Sequence, residues 1–183
     1  RFCYPMVSTE NKEVYCQNGC DLPLQLINPK LIVENSFCLQ EPERSIIVTG
    51  PNQGGKTTFA RMIGQLVYLT SLGLPIPASN ANFFLPDRIF THFEKQEHEV
   101  TGCGKLQDDI VRIHDILKNA TSKSLLLINE MFASTTLADA LELGRAVMQE
   151  ISQKDMFCIY VTFLEELAFF EATCQAKCNT FEK

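Results

Sequence analysis

The chain has 183 residues, 45% of them hydrophobic and 21% charged, which is material for one domain with a full apolar core. Its formal charge of −6 argues against a chain that coats nucleic acid by itself, because neutralising phosphates requires clustered Lys and Arg. No apolar run is long enough to span a bilayer and Arg1-Phe2-Cys3-Tyr4-Pro5 does not open a signal peptide, so no membrane partner and a cytoplasmic setting are expected.

Residues 1–44 read as a β-rich lead-in. Glu13-Val14-Tyr15-Cys16 and Lys30-Leu31-Ile32-Val33 are short apolar runs, separated by the turn signals Asn18-Gly19 and Asn28-Pro29, and both read as strands. From Ser45 the texture changes to alternating strands and helices. Ser45-Ile46-Ile47-Val48-Thr49 has the continuous apolar character of a strand buried on both faces. A helix over 58–72 follows, with Phe59, Met62, Ile63, Leu66 and Val67 on one side, ended by Gly73 and Pro75.

Pro75, Pro77 and Pro86 then interrupt the chain. Arg88-Ile89-Phe90-Thr91-His92-Phe93 reads as a strand, and 94–104 as a polar loop. Leu106, Ile110, Ile113 and Leu117 mark one face of a helix, and 125–128 form a second buried strand. Leu137, Leu141, Met148 and Ile151 mark a further helix, opened by a capping box at Thr136 and Asp139. Residues 156–163 read as a strand and 164–174 as a closing helix. This alternation predicts an α/β fold with a mainly parallel sheet flanked by helices. The expected organisation is one domain over 1–183: lead-in 1–44, core 45–168 and tail 169–183. The absence of an initiating Met suggests a fragment of a longer protein.

Between the first buried strand and its helix lies Gly50-Pro51-Asn52-Gln53-Gly54-Gly55-Lys56-Thr57-Thr58. The spacing G-x-x-x-x-G-K-S/T, between a strand and a helix, is that of a phosphate-binding loop. Glycines let successive amides turn inward around a polyphosphate, and the helix points its positive dipole end at the same anion. Lys56 is expected at the β/γ-phosphates and Thr57 at Mg²⁺, making ATP/ADP and Mg²⁺ the expected cofactors. The strand Ser124-Leu125-Leu126-Leu127-Ile128 ends in Asn129-Glu130, which places Glu130 as general base or water-orienting residue. Asn129 stands where an Asp is expected. It keeps an acceptor oxygen but not the charge, so weak metal binding and slow hydrolysis are predicted from a metal set of Thr57, Asn129 and Glu130.

These residues resemble one family. Thr49 to Thr58 is similar to the T-G-P-N-M-G-G-K-S-T loop of the MutS-family mismatch-recognition ATPases, and the Pro51-Asn52 pair is unusual among such loops. The likeness continues through Gly73 to Ala78, Asp87 to Thr91, Ile116 to Thr121, Ser124 to Glu130, Val161-Thr162 and Glu166-Leu167, covering roughly residues 14–168. The resemblance implies a P-loop NTPase fold of the ABC/MutS type, and two ATPase domains that complete each other's nucleotide sites, hence a homodimer through the ATPase face. It puts Cys103 where the family has a Ser that reaches the partner's γ-phosphate, and Ile32 against adenine. DNA contacts are implied only for domains outside this chain. Three features depart from the pattern: Asn129, Phe132-Ala133-Ser134 in place of Gly-Arg-Gly, and Phe163 in place of a His. They imply a divergent branch. The implied function is an ATP-binding, slowly hydrolysing domain of a MutS-like DNA mismatch repair protein, coupling nucleotide state to dimer conformation. The alternative is a non-catalytic nucleotide-binding interaction module.

Other polar features read as structural. The eight cysteines are expected as reduced thiols rather than as a zinc site built from Cys16, Cys20, Cys174 and Cys178. His92, His98 and His114 are too scattered to suggest a metal cluster, and Asp108, Asp109 and Asp115 read as a solvated helix face.

Overall fold

The computed structural model describes residues 1–10, 12–51, 53–93, 104–169 and 176–178. In chain order the elements are β1 (Met6–Ser8), β2 (Val14–Gly19), α1 (Leu22–Ile27), a 3-10 turn (Pro29–Leu31), β3 (Asn35–Leu39), β4 (Ser45–Val48), α2 (Lys56–Ser71), β5 (Asn80–Phe84), β6 (Ile89–His92), α3 (Lys105–Asn119), β7 (Leu125–Asn129), α4 (Leu137–Gln153), β8 (Phe157–Val161), a second 3-10 turn (Glu165–Phe169) and β9 (Ala176–Cys178). Among the described residues they form two sheets. One has the order β6-β7-β8-β4-β9 and is parallel throughout. The other has the order β1-β5-β2-β3, antiparallel except where β1 meets β5. The mainly parallel sheet is as the β-α alternation predicts. The smaller sheet borrows β5 from beyond residue 45.

Strand alternation splits the core into two apolar bodies. Ile46, Val48, Leu127, Ile159 and Val161 face α2 and the smaller sheet, together with Phe59, Ile63, Leu66, Phe37 and Phe83. Ile47, Leu126, Ile128, Cys158 and Tyr160 face the opposite way, onto Ile113 and Ile116 of α3 and Met148 and Ile151 of α4. Arg112 fastens α3 to the outer strand, donating to Thr91 O at 3.0 Å and Phe93 O at 2.9 Å. Those carbonyls lie on the edge of β6 away from β7, so Arg112 also blunts that edge. Asp155, just before β8, receives Lys12 from the lead-in and Arg44 from the approach to β4.

Four local expectations differ from the structure. Residues 30–33 are not a strand: Pro29, lacking an amide hydrogen and with φ preset, opens a 3-10 turn, and Val33 is 71% exposed with no sheet to cover it. In front of that turn stands α1, whose N-cap Asp21 accepts from the Leu24 amide at 3.1 Å. The helical faces are rotated as well. Ile110 is 41% exposed and Leu137 59%, while Ile116 and Ala140 point inward instead. The closing helix is a 3-10 turn over Glu165–Phe169, and 170–175 fall outside the described residues.

Candidate functional site

The parallel register sets Val48, Val161 and Asn129 side by side, so β4, β8 and β7 deliver their carboxyl ends to one edge. Such an edge is where ligands of open α/β sheets bind. The glycine-rich segment leaves β4 at this edge. Gly50 has φ +138 and Gly55 φ +86, and a Cβ built at either meets nothing within 4 Å, so backbone conformation rather than crowding favours glycine there. Gln53 also takes a positive φ, +66. Asn52 lies outside the described residues, while Pro51, Gln53, Gly54 and Gly55 are exposed.

Helix α2 starts from Gly55, which has no side chain to cap it, and has no acidic residue in its first turn. Its leading amides and the positive end of its dipole therefore face the loop without a side-chain competitor at the cap. Lys56 is buried at 6% exposure, and its ammonium donates to Gly50 O at 2.7 Å and Pro51 O at 3.0 Å. A shielded cation held, among the described residues, by neutral carbonyls is costly, and an anion seated among the same atoms would offset that cost.

Thr57 joins the two halves of the site. Its hydroxyl donates to Asn129 Oδ1 at 2.8 Å, which brings together side chains 72 positions apart. Thr58 is half-buried one residue further on. Beyond Asn129 the chain turns sharply: Glu130 has φ +50 and Phe132 φ +65. The Glu130 amide donates to Val161 O at 2.9 Å, which keeps its half-buried side chain at the edge of the sheet. Thr162 is fully buried, its amide on Val48 O at 3.1 Å and its hydroxyl accepting from the Leu164 amide at 3.0 Å. Phe163, where the resemblance implies a His, is 40% exposed.

The residues fit a magnesium nucleotide. Among the described residues no three His, Cys, Asp or Glu side chains gather into a metal cluster. Mg²⁺ commonly takes only one or two protein ligands and completes its shell with phosphates and water, which a hydroxyl and a carboxamide 2.8 Å apart can serve. Of the remaining expected residues, Ile32 is half-buried just after the 3-10 turn. Cys103, His98 and Cys174 lie outside the described residues. Cys16 and Cys20 are buried free thiols, and burial, helped by Cys3 and Cys20, pushes Cys16 up to about 12.

A second group of polar residues lies beneath the edge. Asp109 is not part of a solvated face. Its carboxylate turns inward, with Oδ1 3.4 Å from His92 Nε2 and Oδ2 accepting from the Phe132 amide at 3.3 Å. His92 is 2% exposed, and burial, assisted by the charge of Arg112, outweighs Asp109 and holds its pKa below the ordinary imidazole value. Tyr160 is fully buried, and its phenol is pushed up by burial first, then by Cys158 and Asp109. The sequence did carry a signal for Asp109, since it stands four and seven residues before Ile113 and Ile116 and so continues the buried stripe of α3.

The molecule is thus an α/β domain with a glycine-rich loop, a lysine and a Thr–Asn pair at the carboxyl edge of a parallel sheet. Residues 46–181 match the family described as MutS domain V, and the chain belongs to that family. It is 32% identical over 150 residues to the DNA mismatch repair protein MutS of Prochlorococcus marinus (strain AS9601), covering 81% of this chain and 16% of that protein. With the DNA mismatch repair protein MutS of Lachnoclostridium phytofermentans it shares 33% identity over 151 residues, 80% of the chain and 16% of the relative. With that of Clostridium botulinum (strain Okra / Type B1) it shares 29% over 172 residues, 91% of the chain and 18% of the relative. The chain therefore spans less than a fifth of the length of these curated relatives. No helix among the described residues is long and apolar enough to cross a membrane.

Proposed function

We propose that this chain is a P-loop NTPase domain of a MutS-like DNA mismatch repair protein, binding ATP with Mg²⁺ and hydrolysing it slowly. The observation that carries this reading is the Thr57–Asn129 hydrogen bond beside a buried Lys56, which unites two sequence motifs at one sheet edge. Lys56 and the leading amides of α2 would hold the β- and γ-phosphates. Thr57 and Asn129 would hold the metal, whose bound charge draws electron density from the phosphate oxygens. Glu130 would orient the attacking water and take its proton. The resemblance further implies a homodimer through the ATPase face, with Cys103 in place of the Ser that reaches the partner's γ-phosphate and a geometry that follows nucleotide state. Contact with DNA would belong to other parts of a longer, cytoplasmic protein.

A second reading is a nucleotide-binding interaction module without turnover. The uncharged Asn129 and the exposed Phe163 favour it, because both remove groups that would polarise the phosphate. Calorimetry with ATP and Mg²⁺, followed by single-turnover hydrolysis on the native chain and on Glu130→Ala, separates the two. The protein must be concentrated enough to populate pairs. Binding plus slow turnover that disappears with Glu130 supports the enzyme, and binding with no turnover in either supports the module. Absence of binding defeats both.

A further inference from the structure

His92, Ile128, Tyr160 and Ile47 form one row across the parallel sheet, since β6, β7, β8 and β4 pair at these residues. Lateral neighbours share a face, and this face is the one covered by α3 and α4. Both His92 ring nitrogens and the Tyr160 hydroxyl are buried there without a hydrogen-bond partner among the described residues. Asp109 enters the same space from α3, and its Oδ2 accepts from the Phe132 amide at 3.3 Å. His92 Nε2, at 3.4 Å, stands beside the other oxygen.

Phe132 is where this arrangement meets the edge of the sheet. Glu130 and Phe132 both hold positive φ, a conformation costly for residues with a Cβ and one that persists only when its surroundings impose it. Three bonds hold it here. One runs from the Glu130 amide to β8, one from the Phe132 amide to Asp109, and one from the Thr135 amide to Phe132 O at 3.4 Å. The Met131 and Phe132 side chains, each 1% exposed, anchor the turn in the core below. Without the α3 bond, the Phe132 amide loses its side-chain acceptor, and the strained turn is held less closely around Glu130.

We propose that Asp109 is the positioning residue for Glu130: it pins the turn that carries the carboxylate and so sets where that carboxylate points. His92 backs the Asp109 carboxylate, and Arg112, one helical turn on from Asp108, holds α3 against β6 so that the bond can form. The inference rests on the reading of Glu130 as the water-orienting group.

The test uses the full chain and two variants at one position. Asp109→Ala removes the acceptor, whereas Asp109→Asn keeps a carbonyl oxygen for the Phe132 amide. Asp109→Ala is expected to lower kcat by about tenfold to a hundredfold with the nucleotide Kd unchanged, the size of loss that misplacing a reacting group by about 1 Å produces. Asp109→Asn should recover most of that rate. Added to Glu130→Ala, Asp109→Ala should change the residual rate by less than about twofold, because both act through one group. Amide hydrogen exchange over 130–132 should quicken in Asp109→Ala and not in Asp109→Asn, whether or not the chain turns over. Equal exchange in the two variants overturns the assignment of Asp109, as does an undiminished kcat in Asp109→Ala. A native chain that binds nucleotide without hydrolysing it instead overturns the role given to Glu130, and with it the catalytic purpose of the pin.

Discussion

The Thr57 hydroxyl donates to Asn129 Oδ1 at 2.8 Å, and this bond is where the loop after β4 meets the end of β7. An Asp at 129 would accept the same bond while adding a full negative charge beside the proposed metal position. Charge-assisted bonds are roughly twice as strong as neutral ones. Asn129→Asp is therefore expected to tighten Mg²⁺-dependent nucleotide binding by about fivefold, equivalent to ~1 kcal/mol, and to raise turnover. Titrating Mg²⁺ at fixed ATP checks it. An unchanged midpoint would remove Asn129 from the metal set.

Asp155 makes a pH-dependent clasp between the lead-in and the core. Burial alone would raise its pKa, but the hydrogen bond from Lys12 and the charge of Arg44 outweigh it and leave the carboxyl below its ordinary value. A depressed folded pKa means stability that is present above the unfolded value of about 4 and lost as pH falls through the folded one. The side chain is 55% exposed, so screening limits the contribution to roughly 0.5–1 kcal/mol. Asp155→Asn should lower Tm by about 1–3 °C at pH 7 and by nothing measurable near pH 2. The backbone there, at φ +53, suits Asn, so the variant isolates the charge. A Tm deficit that is the same at both pH values would contradict the ionic origin.

The position of the glycine-rich loop and of the strand ending at Asn129 was more legible in the sequence than the faces of the helices. The strand, glycine-rich loop and helix around Lys56 are local, and local rules place them well. The Asn129-Glu130 dipeptide was readable because a run of apolar residues ends there. By contrast, α1 needed recognition of Asp21 as a cap, and β5 carried Asn80 and Asn82 amid its apolar residues. The rotation of α3 was hidden for a physical reason. Its buried stripe contains Asp109, so an apolar count selects Ile110, one residue away and on the wet side. His92 and Tyr160 come to lie in one row, either side of Ile128, only through strand register, which no local pattern encodes.

Gly64 marks the close approach of α2 to the sheet. A Cβ there would sit 2.5 Å from Leu127 Cδ1, a side chain that is 3% exposed and packed on all sides. Ala gains about 1 kcal/mol over Gly in a helix, but overpacking of this kind costs about 1–3 kcal/mol. Gly64→Ala is therefore expected to lower stability by roughly 1 kcal/mol, read by urea denaturation with an unchanged m-value. Adding Leu127→Val, which shortens the opposing side chain, should recover part of that loss. If the double variant is less stable than the sum of the two singles, the contact is not the source.

Tyr160 offers the opposite kind of change. Its ring fills the space under α4, where a Cβ at Gly144 would already stand 3.6 Å from the hydroxyl, while that hydroxyl has no hydrogen-bond partner among the described residues. Burying an unsatisfied polar group costs about 1–3 kcal/mol, whereas removing it in place keeps the packing of the ring. Tyr160→Phe should therefore raise Tm by at least about 2 °C. The same substitution leaves the Asp109 bond to the Phe132 amide untouched, so turnover should stay within about twofold of the native chain. A lowered Tm would show that the hydroxyl is satisfied in solution. A large fall in turnover with a raised Tm would instead draw Tyr160 into the support of the Glu130 turn, through the carboxylate that already acts on its phenol.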